Sequence, residues 1–374
     1  MRLGTGWGGW WRASGRAVRR LAGGGRNGSG RLRRRWRGWS RRRRILVLTA
    51  LTLVAALLLP PAGIAVALRV AATGTPDPQA RTRGQDAAWL GHAWVDGRKG
   101  PADLAALPQL VRGGIRDLYV HAGPLDDDGT LPATRYPQAG ALLAAVHQEL
   151  PGVRVQAWLG DLVEPEKQGL DLSDPAVRQR IRDSVQQVLD AGFAGVHLDL
   201  EPVHSGDAGY LALLDQVHAL TAARGALLSV ATPQIDPLPG LHAVAGTLAG
   251  HPKWWAQAYF GQVARRVDQV AVMSYDTAMP LPSLYTGYVA QQTELALEVT
   301  PSSVDLLMGL PAYEEDQPGH RGSAETVPAA IRGVRLGLGR QAPGRAAFGV
   351  AVYADFTATA ADWAAYRRDW CASE

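Results

Sequence analysis

The sequence predicts an α/β fold in which eight parallel strands and eight helices alternate and close into a (β/α)8 barrel. From about residue 88 onward, short apolar runs alternate with longer amphipathic segments, and eight of each fit into roughly 290 residues. An open, doubly wound sheet is the alternative. It has less support, because no glycine-rich phosphate loop follows the first apolar run.

Each predicted element has a local signal. The expected strands are apolar runs, at 88–95, 117–121, 153–158, 196–201, 226–231, 269–274, 304–310 and 346–352. The expected helices are amphipathic segments, at 101–112, 136–150, 174–191, 210–224, 254–267, 284–299, 324–338 and 360–370. The clearest helix is 174–191, which has Ser173 or Asp174 as its cap, Pro175 in its first turn and Gly192 after its end.

The N-terminal 44 residues differ from the rest of the chain in charge. They contain fifteen arginines and no acidic residue, and their composition predicts a disordered tail. The whole chain has 39 basic and 34 acidic residues, so removing these fifteen leaves 24 basic against 34 acidic, a net charge near −10. Such an acidic remainder is a poor partner for nucleic acid.

A run of 24 residues without charge, 45–68, follows this tail. It is long enough to span a bilayer, which takes about 20 residues, and the arginines at 41–44 would keep residues 1–44 in the cytoplasm. We therefore expect a cell-membrane signal anchor at 45–68, a linker at 69–86 and an extracytoplasmic barrel at 87–374. A cleaved signal peptide ending near Ala65-Val66-Ala67 is the alternative.

The stretch Val196 to Glu201 is the predicted strand that carries chemistry. Side chains alternate between the two faces of a strand, so His197, Asp199 and Glu201 share one face. Three ionisable groups in a row cannot point into a dry core without a large desolvation cost. They are therefore expected to line a polar cavity at the carboxyl end of the strand, which is where barrel enzymes hold their catalytic residues.

The pattern Gly195-x-His197-x-Asp199-x-Glu201 resembles the signature of glycoside hydrolase family 18, the chitinase-like TIM barrels, which runs Asp-Gly-x-Asp-x-Asp-x-Glu. The resemblance implies that Glu201 is the general acid and that Asp199 orients the acetamido group of the substrate. Ala194 and His197 stand where the pattern has its two outer aspartates. A charged His197 is expected to keep Asp199 ionised, and a His197 that only forms hydrogen bonds inside the barrel is the alternative.

Two later strand ends support the same resemblance. Met273-Ser274-Tyr275-Asp276 resembles the family's Met-x-Tyr-Asp, which implies that Tyr275 donates a hydrogen bond to the reacting sugar. Gly309-Leu310-Pro311-Ala312-Tyr313 resembles its Gly-x-Pro-x-Tyr. Aromatic rings also stack on sugars, which makes Trp158 and Phe356 candidate platforms. The expected substrate-binding residues are Asp276, His197, Met273, Tyr313, Trp94 and Tyr353.

The sequence therefore predicts a monomeric, extracytoplasmic hydrolase of glycans that contain β-linked N-acetylglucosamine, chitin-like or peptidoglycan. The expected mechanism is substrate-assisted, as in family 18, so that no protein carboxylate attacks the sugar. A retaining enzyme that uses Glu201 with Glu314 or Glu315 is one alternative, and a barrel that binds glycans without cleaving them is another. No cofactor or metal is expected, because His92, His121, His197, His204, His218 and His242 show no paired ligand spacing.

Overall fold

The computed structural model describes residues 39–165, 168–243 and 253–371, except for the side chains of residues 53–60. The predicted tail therefore lies almost wholly outside the described residues. The chain divides into two compact units, Met1–Ala65 and Val66–Glu374. Helix α1 spans Arg41–Ala71. Within the described part of the chain, which leaves out the side chains of residues 53–60 in the predicted anchor, no helix is both long enough and apolar enough to cross a membrane.

The second unit contains a closed parallel barrel, as the sequence predicts. The described strands are β1 (Asp86–Leu90), β2 (Ile115–His121), β3 (Arg154–Leu162), β4 (Gly195–Glu201), β5 (Leu227–Thr232), β6 (Gln234–Ile235), β7 (Trp254–Trp255), β8 (Gln269–Val272), β9 (Asp305–Pro311) and β10 (Phe348–Tyr353). Each barrel strand pairs with the next along the chain, and β10 closes onto β1. Strands β6 and β7 lie outside the barrel and pair with each other.

Helices connect successive barrel strands, and the last helix follows β10. They are α2 (Pro101–Leu110), α3 (Ala139–Glu149), α4 (Pro175–Asp190), α5 (Ala208–Ala223), α6 (Gln257–Ala264), α7 (Pro282–Val299), α8 (Val327–Gln341) and α9 (Ala360–Ala365). Asp174 caps α4 by accepting a hydrogen bond from the Ala176 amide, which confirms the predicted start of this helix. A π-helical turn, Tyr366–Trp370, continues α9.

The alternation of β4 is confirmed by burial on both faces. Val196, Leu198 and Leu200 pack in the apolar layer between the strands and the outer helices, while His197 is fully buried inside the barrel. Facing side chains fill the barrel in layers, as in other (β/α)8 folds. A hydrogen-bonded layer around Asp117 and Gln269 lies near the amino ends of the strands.

The segment 69–86, which the sequence predicts as a linker, is bonded to the barrel. The Arg340 guanidinium donates to the carbonyls of Ala71 and Thr73, and Arg335 Nε donates to the carbonyl of Ala80. Asp86 already belongs to β1 and is fully buried. Arginines of α8 therefore hold this segment along the outside of the barrel.

Asp86 anchors the end of the chain to the first strand. Its carboxylate accepts hydrogen bonds from the hydroxyls of Thr82 and Tyr366, from the Trp370 indole and from the Val350 amide. A buried carboxylate needs such donors because it has lost its hydration. The last turn of the chain is therefore fixed against the amino end of β1.

Candidate active site

Strand β4 delivers two carboxylates to the open end of the barrel. Asp199 pairs in register with Gly160 on β3, and Glu201 pairs with Leu162. A Cβ atom at position 160 would lie 3.1 Å from the Asp199 carbonyl and 3.6 Å from the indole nitrogen of Trp158. The contact with the carbonyl would be tight, so glycine at 160 allows the close backbone approach of β3 to Asp199.

A cavity of about 590 Å³ opens over these carboxylates. Its walls include seven of the residues that the sequence predicts for the site: Asp199, Glu201, Met273, Tyr275, Asp276, Tyr313 and Tyr353. Four strand ends, those of β4, β8, β9 and β10, supply them, as expected for the carboxyl face of a parallel barrel. The structure thus brings the predicted acid pair and the predicted tyrosine into one cleft, while their chemical roles stay predictions.

Asp199 is held by a single strong contact. The Trp158 indole nitrogen donates to Asp199 Oδ2 over 2.9 Å, and Oδ1 has no hydrogen-bond partner among the described residues. Burial raises the pKa of Asp199, and the hydrogen bond from Trp158 opposes that rise because it favours the ionised form. One carboxylate oxygen is therefore free to accept a hydrogen bond from a ligand.

The Glu201 side chain is exposed at the mouth of the cleft, although many protein atoms surround its carboxyl group. Burial raises the pKa of Glu201 above the usual glutamate range, and repulsion from Asp199 and Asp276 raises it further. The pKa shift is upward at both members of the pair, so the pair retains a proton at a pH where isolated carboxyls have lost theirs.

Tyr275 has a preset position at the end of β8. Its ring stacks on Tyr353 with centroids 5.3 Å apart, and a Cβ atom at Gly309 on β9 would lie 2.7 Å from the ring. The ring is 4 % exposed, and its hydroxyl has no hydrogen-bond partner within the described residues. The hydroxyl, like Asp199 Oδ1, is therefore a buried polar atom at the wall of the cleft whose hydrogen-bonding capacity is unused by the described residues.

Asp276 adopts a left-handed backbone conformation, with φ +58°. This region is unfavourable for residues other than glycine, and side chains held there cluster at functional sites. The Tyr313 hydroxyl donates to Asp276 Oδ1 over 2.6 Å, and the same oxygen lies 3.1 Å from His320 Nδ1. The turn thus directs the Asp276 carboxylate into the cleft beside Tyr275.

The expectation that His197 is charged and binds substrate is wrong. The Trp89 indole donates to His197 Nε2 over 3.0 Å, His197 Nδ1 lies 2.7 Å from Ser229 Oγ, and the ring stacks on Tyr119. A nitrogen that accepts from an indole carries no proton, so the ring is neutral. Burial lowers the pKa of His197 to about 3. The other interpretation, a histidine hydrogen-bonded inside the barrel, fits the structure.

Trp94 is also not a sugar platform. Strand β1 ends at Leu90, earlier than predicted, and His92–Trp94 form a turn of 3-10 helix. The Trp94 side chain is 4 % exposed and its indole donates to Asp355 Oδ2. Phe356, by contrast, is 59 % exposed and lines the cleft.

Phe356 also borders a second cavity, of about 370 Å³, whose walls include His92, His121 and Trp158. This cavity adjoins the cleft through the exposed ring, which gives a long ligand an aromatic surface next to the acid pair.

The role of Trp158 as a donor to Asp199 was missed in the sequence. Its position at the third predicted strand suggested a stacking platform instead. On β3, a tryptophan two residues before a glycine is only a weak signal for a donor to β4. The direction of the indole N–H depends on the register between β3 and β4, which the sequence does not give.

No protein-family model and no curated protein matches the chain. Solved structures do match it. The spore cortex-lytic enzyme SleL of Bacillus megaterium QM B1551 aligns with a TM-score of 0.53 and 17% identity over 79% of this chain and 75% of its own. A chitinase from Chromobacterium violaceum ATCC 12472 aligns with a TM-score of 0.54 and 15% identity over 77% of this chain and 99% of its own. The spore cortex-lytic enzyme SleL of Bacillus cereus aligns with a TM-score of 0.55 and 13% identity over 80% of this chain and 76% of its own.

The fold is that of chitinases and spore cortex-lytic enzymes. At these identities the likeness shows the fold alone, and the predicted resemblance to chitinase-like barrels is confirmed at that level.

Proposed function

We propose that this chain is a glycoside hydrolase that cleaves glycans containing β-linked N-acetylglucosamine by a substrate-assisted, retaining mechanism. The observation that carries the proposal is the pair of unpartnered polar atoms in the cleft, Asp199 Oδ1 and the Tyr275 hydroxyl, beside the raised pKa of Glu201. An acceptor and a donor together match the N–H and the carbonyl oxygen of an acetamido group.

Each group then has one task. Glu201 keeps its proton near neutral pH and donates it to the leaving glycosidic oxygen. The acetamido oxygen of the substrate attacks the anomeric carbon, so no protein carboxylate forms a bond to the sugar. Asp199 accepts the acetamido N–H and stabilises the positive charge that develops, and Tyr275 donates to the acetamido oxygen. Glu201 finally accepts a proton from the incoming water.

The substrate class is supported by the structural neighbours, which include a chitinase and spore cortex-lytic enzymes. Chitin-like chains and peptidoglycan glycan strands both carry the acetamido group that this mechanism needs, so both belong to the proposal.

A two-carboxylate retaining mechanism has less support. Glu314 and Glu315 do line the cleft. The carboxylates whose charge raises the pKa of Glu201 are, however, Asp199 and Asp276. A nucleophile about 5 Å from the acid, as double displacement requires, would be among the strongest charges acting on it.

The test is hydrolysis of a chromogenic chitobioside by the unaltered chain, by Glu201→Gln and by the matched control Glu315→Gln. Loss of a general acid costs about 10² to 10⁴ in rate, and we expect that loss for Glu201→Gln with unchanged binding of a chitin oligomer. Glu315→Gln should retain activity. Equal activity of Glu201→Gln and the unaltered chain would refute the proposal, and binding without any turnover would favour a non-hydrolytic barrel.

We also propose that the barrel works outside the cytoplasm, anchored through residues 45–68. This part rests on the sequence alone: an uncharged run of 24 residues preceded by four arginines. Before treatment, the barrel should be found in the membrane fraction. Protease added to intact cells should then remove it. A barrel that resists protease in intact cells and is released to the soluble fraction on lysis would refute it.

A further inference from the structure

Three potential metal ligands meet beside the cleft, on loops that follow two adjacent barrel strands. Asp276 comes after β8, and His320 and Glu325 lie in the connection from β9 to α8. One ligand atom from each lies within 4.8 Å of the others. The sequence analysis did not consider His320 as a ligand. The third ligand, Asp276, lies more than forty residues before His320, so sequence spacing does not show the group.

His320 is the decisive residue of the group. It is completely buried, and neither ring nitrogen has a hydrogen-bond partner among the described residues. Buried polar groups without partners are rare in proteins and usually indicate an ion or water that they bind. The ring packs against Tyr313 with centroids 4.2 Å apart, which fixes its direction.

The distances from His320 Nδ1 to the two carboxylates are those expected between ligands of one metal ion. This nitrogen lies 3.1 Å from Asp276 Oδ1 and 3.6 Å from Glu325 Oε2, yet an N–H at Nδ1 would point at neither oxygen. Neighbouring ligands bound at about 2.1 Å to one ion lie roughly 3.0–3.4 Å apart and off each other's lone-pair axis. An imidazolium paired with these carboxylates would instead direct its N–H at an oxygen.

The surroundings of the three ligands give an ion access to them. They also leave part of the carboxylate charge without a neutralising partner. Asp276 lines the cleft, and Glu325 lines a separate cavity of about 380 Å³. Glu325 is oriented by the Thr277 amide, which donates to its carboxylate. The nearby Lys253 ammonium contacts the Asp276 carbonyl rather than its carboxylate.

We propose that Asp276, His320 and Glu325 bind a divalent cation of the zinc type. One imidazole nitrogen and two carboxylate oxygens form a mixed donor set that suits Zn²⁺ better than the all-oxygen sets that bind Ca²⁺. Three protein ligands leave a further coordination position open. Because Asp276 also faces the cleft, the ion would link this site to ligand binding, but its presence does not depend on hydrolase activity.

The test is calorimetric titration of the full, tag-free chain with ZnCl₂ after treatment with a chelator. We expect one site per chain, with affinity reduced at least tenfold in His320→Gln and in Glu325→Gln. His218→Gln is the matched control, because His218 contacts a single carboxylate, Asp268, at 3.4 Å. Absence of saturable binding by the unaltered chain, or equal affinity in all three variants, would overturn the proposal.

A second measurement does not depend on the variants folding. Crystals of the unaltered chain soaked in ZnCl₂ should give a peak in the anomalous difference map at the zinc edge between His320 Nδ1 and the two carboxylates. Peaks confined to other histidines would count against the site, as would a map with no peak.

Discussion

Replacing Trp158 with phenylalanine removes one hydrogen bond and keeps the ring. The indole nitrogen is the donor to Asp199 Oδ2, and the ring packs edge-on against His121 with centroids 4.6 Å apart. Phenylalanine preserves this packing and deletes the donor. The hydrogen bond favours the ionised form of Asp199, so its loss raises the pKa of Asp199 further above the usual aspartate range.

The size of the effect follows from the bond that is lost. A hydrogen bond to a charged group contributes about 1.5–3 kcal/mol, and 1.4 kcal/mol corresponds to one pKa unit. If Asp199 must be ionised, the acidic limb of the kcat/KM profile should therefore move up by about 1 to 2 pH units. At a pH below that limb, activity should fall by about 10 to 100-fold.

The assay is hydrolysis of a chromogenic chitobioside between pH 4 and 9, and the matched control is Trp363→Phe. The Trp363 indole nitrogen is buried and has no hydrogen-bond partner within the described residues, so its removal deletes no bond to a carboxylate. An acidic limb that stays in place in Trp158→Phe, or that moves by the same amount in the control, would refute the assignment of Asp199.

Three further outcomes are expected. Tyr275→Phe should lower kcat by about 10² to 10³ with an unchanged thermal midpoint, because its hydroxyl bonds to no described group in the free protein; an unchanged kcat would exclude it as a donor. Burial lowers the pKa of His197, so on acidification the unfolded state binds a proton that the folded state does not bind. Between pH 7 and 4, the free energy of unfolding measured by urea titration should therefore fall by about 3 kcal/mol more in the unaltered chain than in His197→Gln. Equal losses would contradict this. Asp117→Asn removes the buried carboxylate to which Arg154 donates two hydrogen bonds and leaves only Asp305, at 3.9 Å. It should cost about 3 kcal/mol in the same titration, against near zero for the exposed Asp183→Asn.

The barrel could be predicted because its signal is repeated along the chain. Each strand is an apolar run and each helix an amphipathic one, and eight repeats leave few other architectures. Strand ends were harder to predict. The apolar pattern continues past Leu90 to Val95, but the strand ends at Leu90 and His92–Trp94 form a 3-10 helix. The end was missed because hydropathy does not mark where strand pairing stops.

Trp254 and Trp255 show a second limit of local pattern. They were predicted to begin a helix, yet they pair as a short parallel strand with Gln234 and Ile235. The Trp255 indole also donates to the Val203 carbonyl. Pairing with a segment twenty residues away overrides local propensity, and a single sequence carries no sign of it.

The candidate site was predicted as far as strand alternation and the family resemblance reach. Both place Asp199, Glu201 and Tyr275 at one barrel mouth, and the structure brings them into one cleft. The state of His197 was not predictable, because it depends on Trp89 and on Ser229 of the neighbouring strand. Periodicity reports which face a side chain lies on, but it does not report its hydrogen-bond partners.

The departure from the family pattern has a definite electrostatic consequence. Ala194 precedes β4 and is exposed, so its replacement removes nothing from the barrel interior. His197 does lie inside, but it is neutral and bonded elsewhere, so Asp199 has no acidic residue beneath it with which to share a proton. The Trp158 N–H then favours the ionised form of Asp199, while two neighbouring carboxylates favour the protonated form of Glu201. The two positions that differ from the family 18 pattern therefore add no charge beside Asp199, and the larger upward pKa shift of Glu201 favours the proton of the pair on that residue.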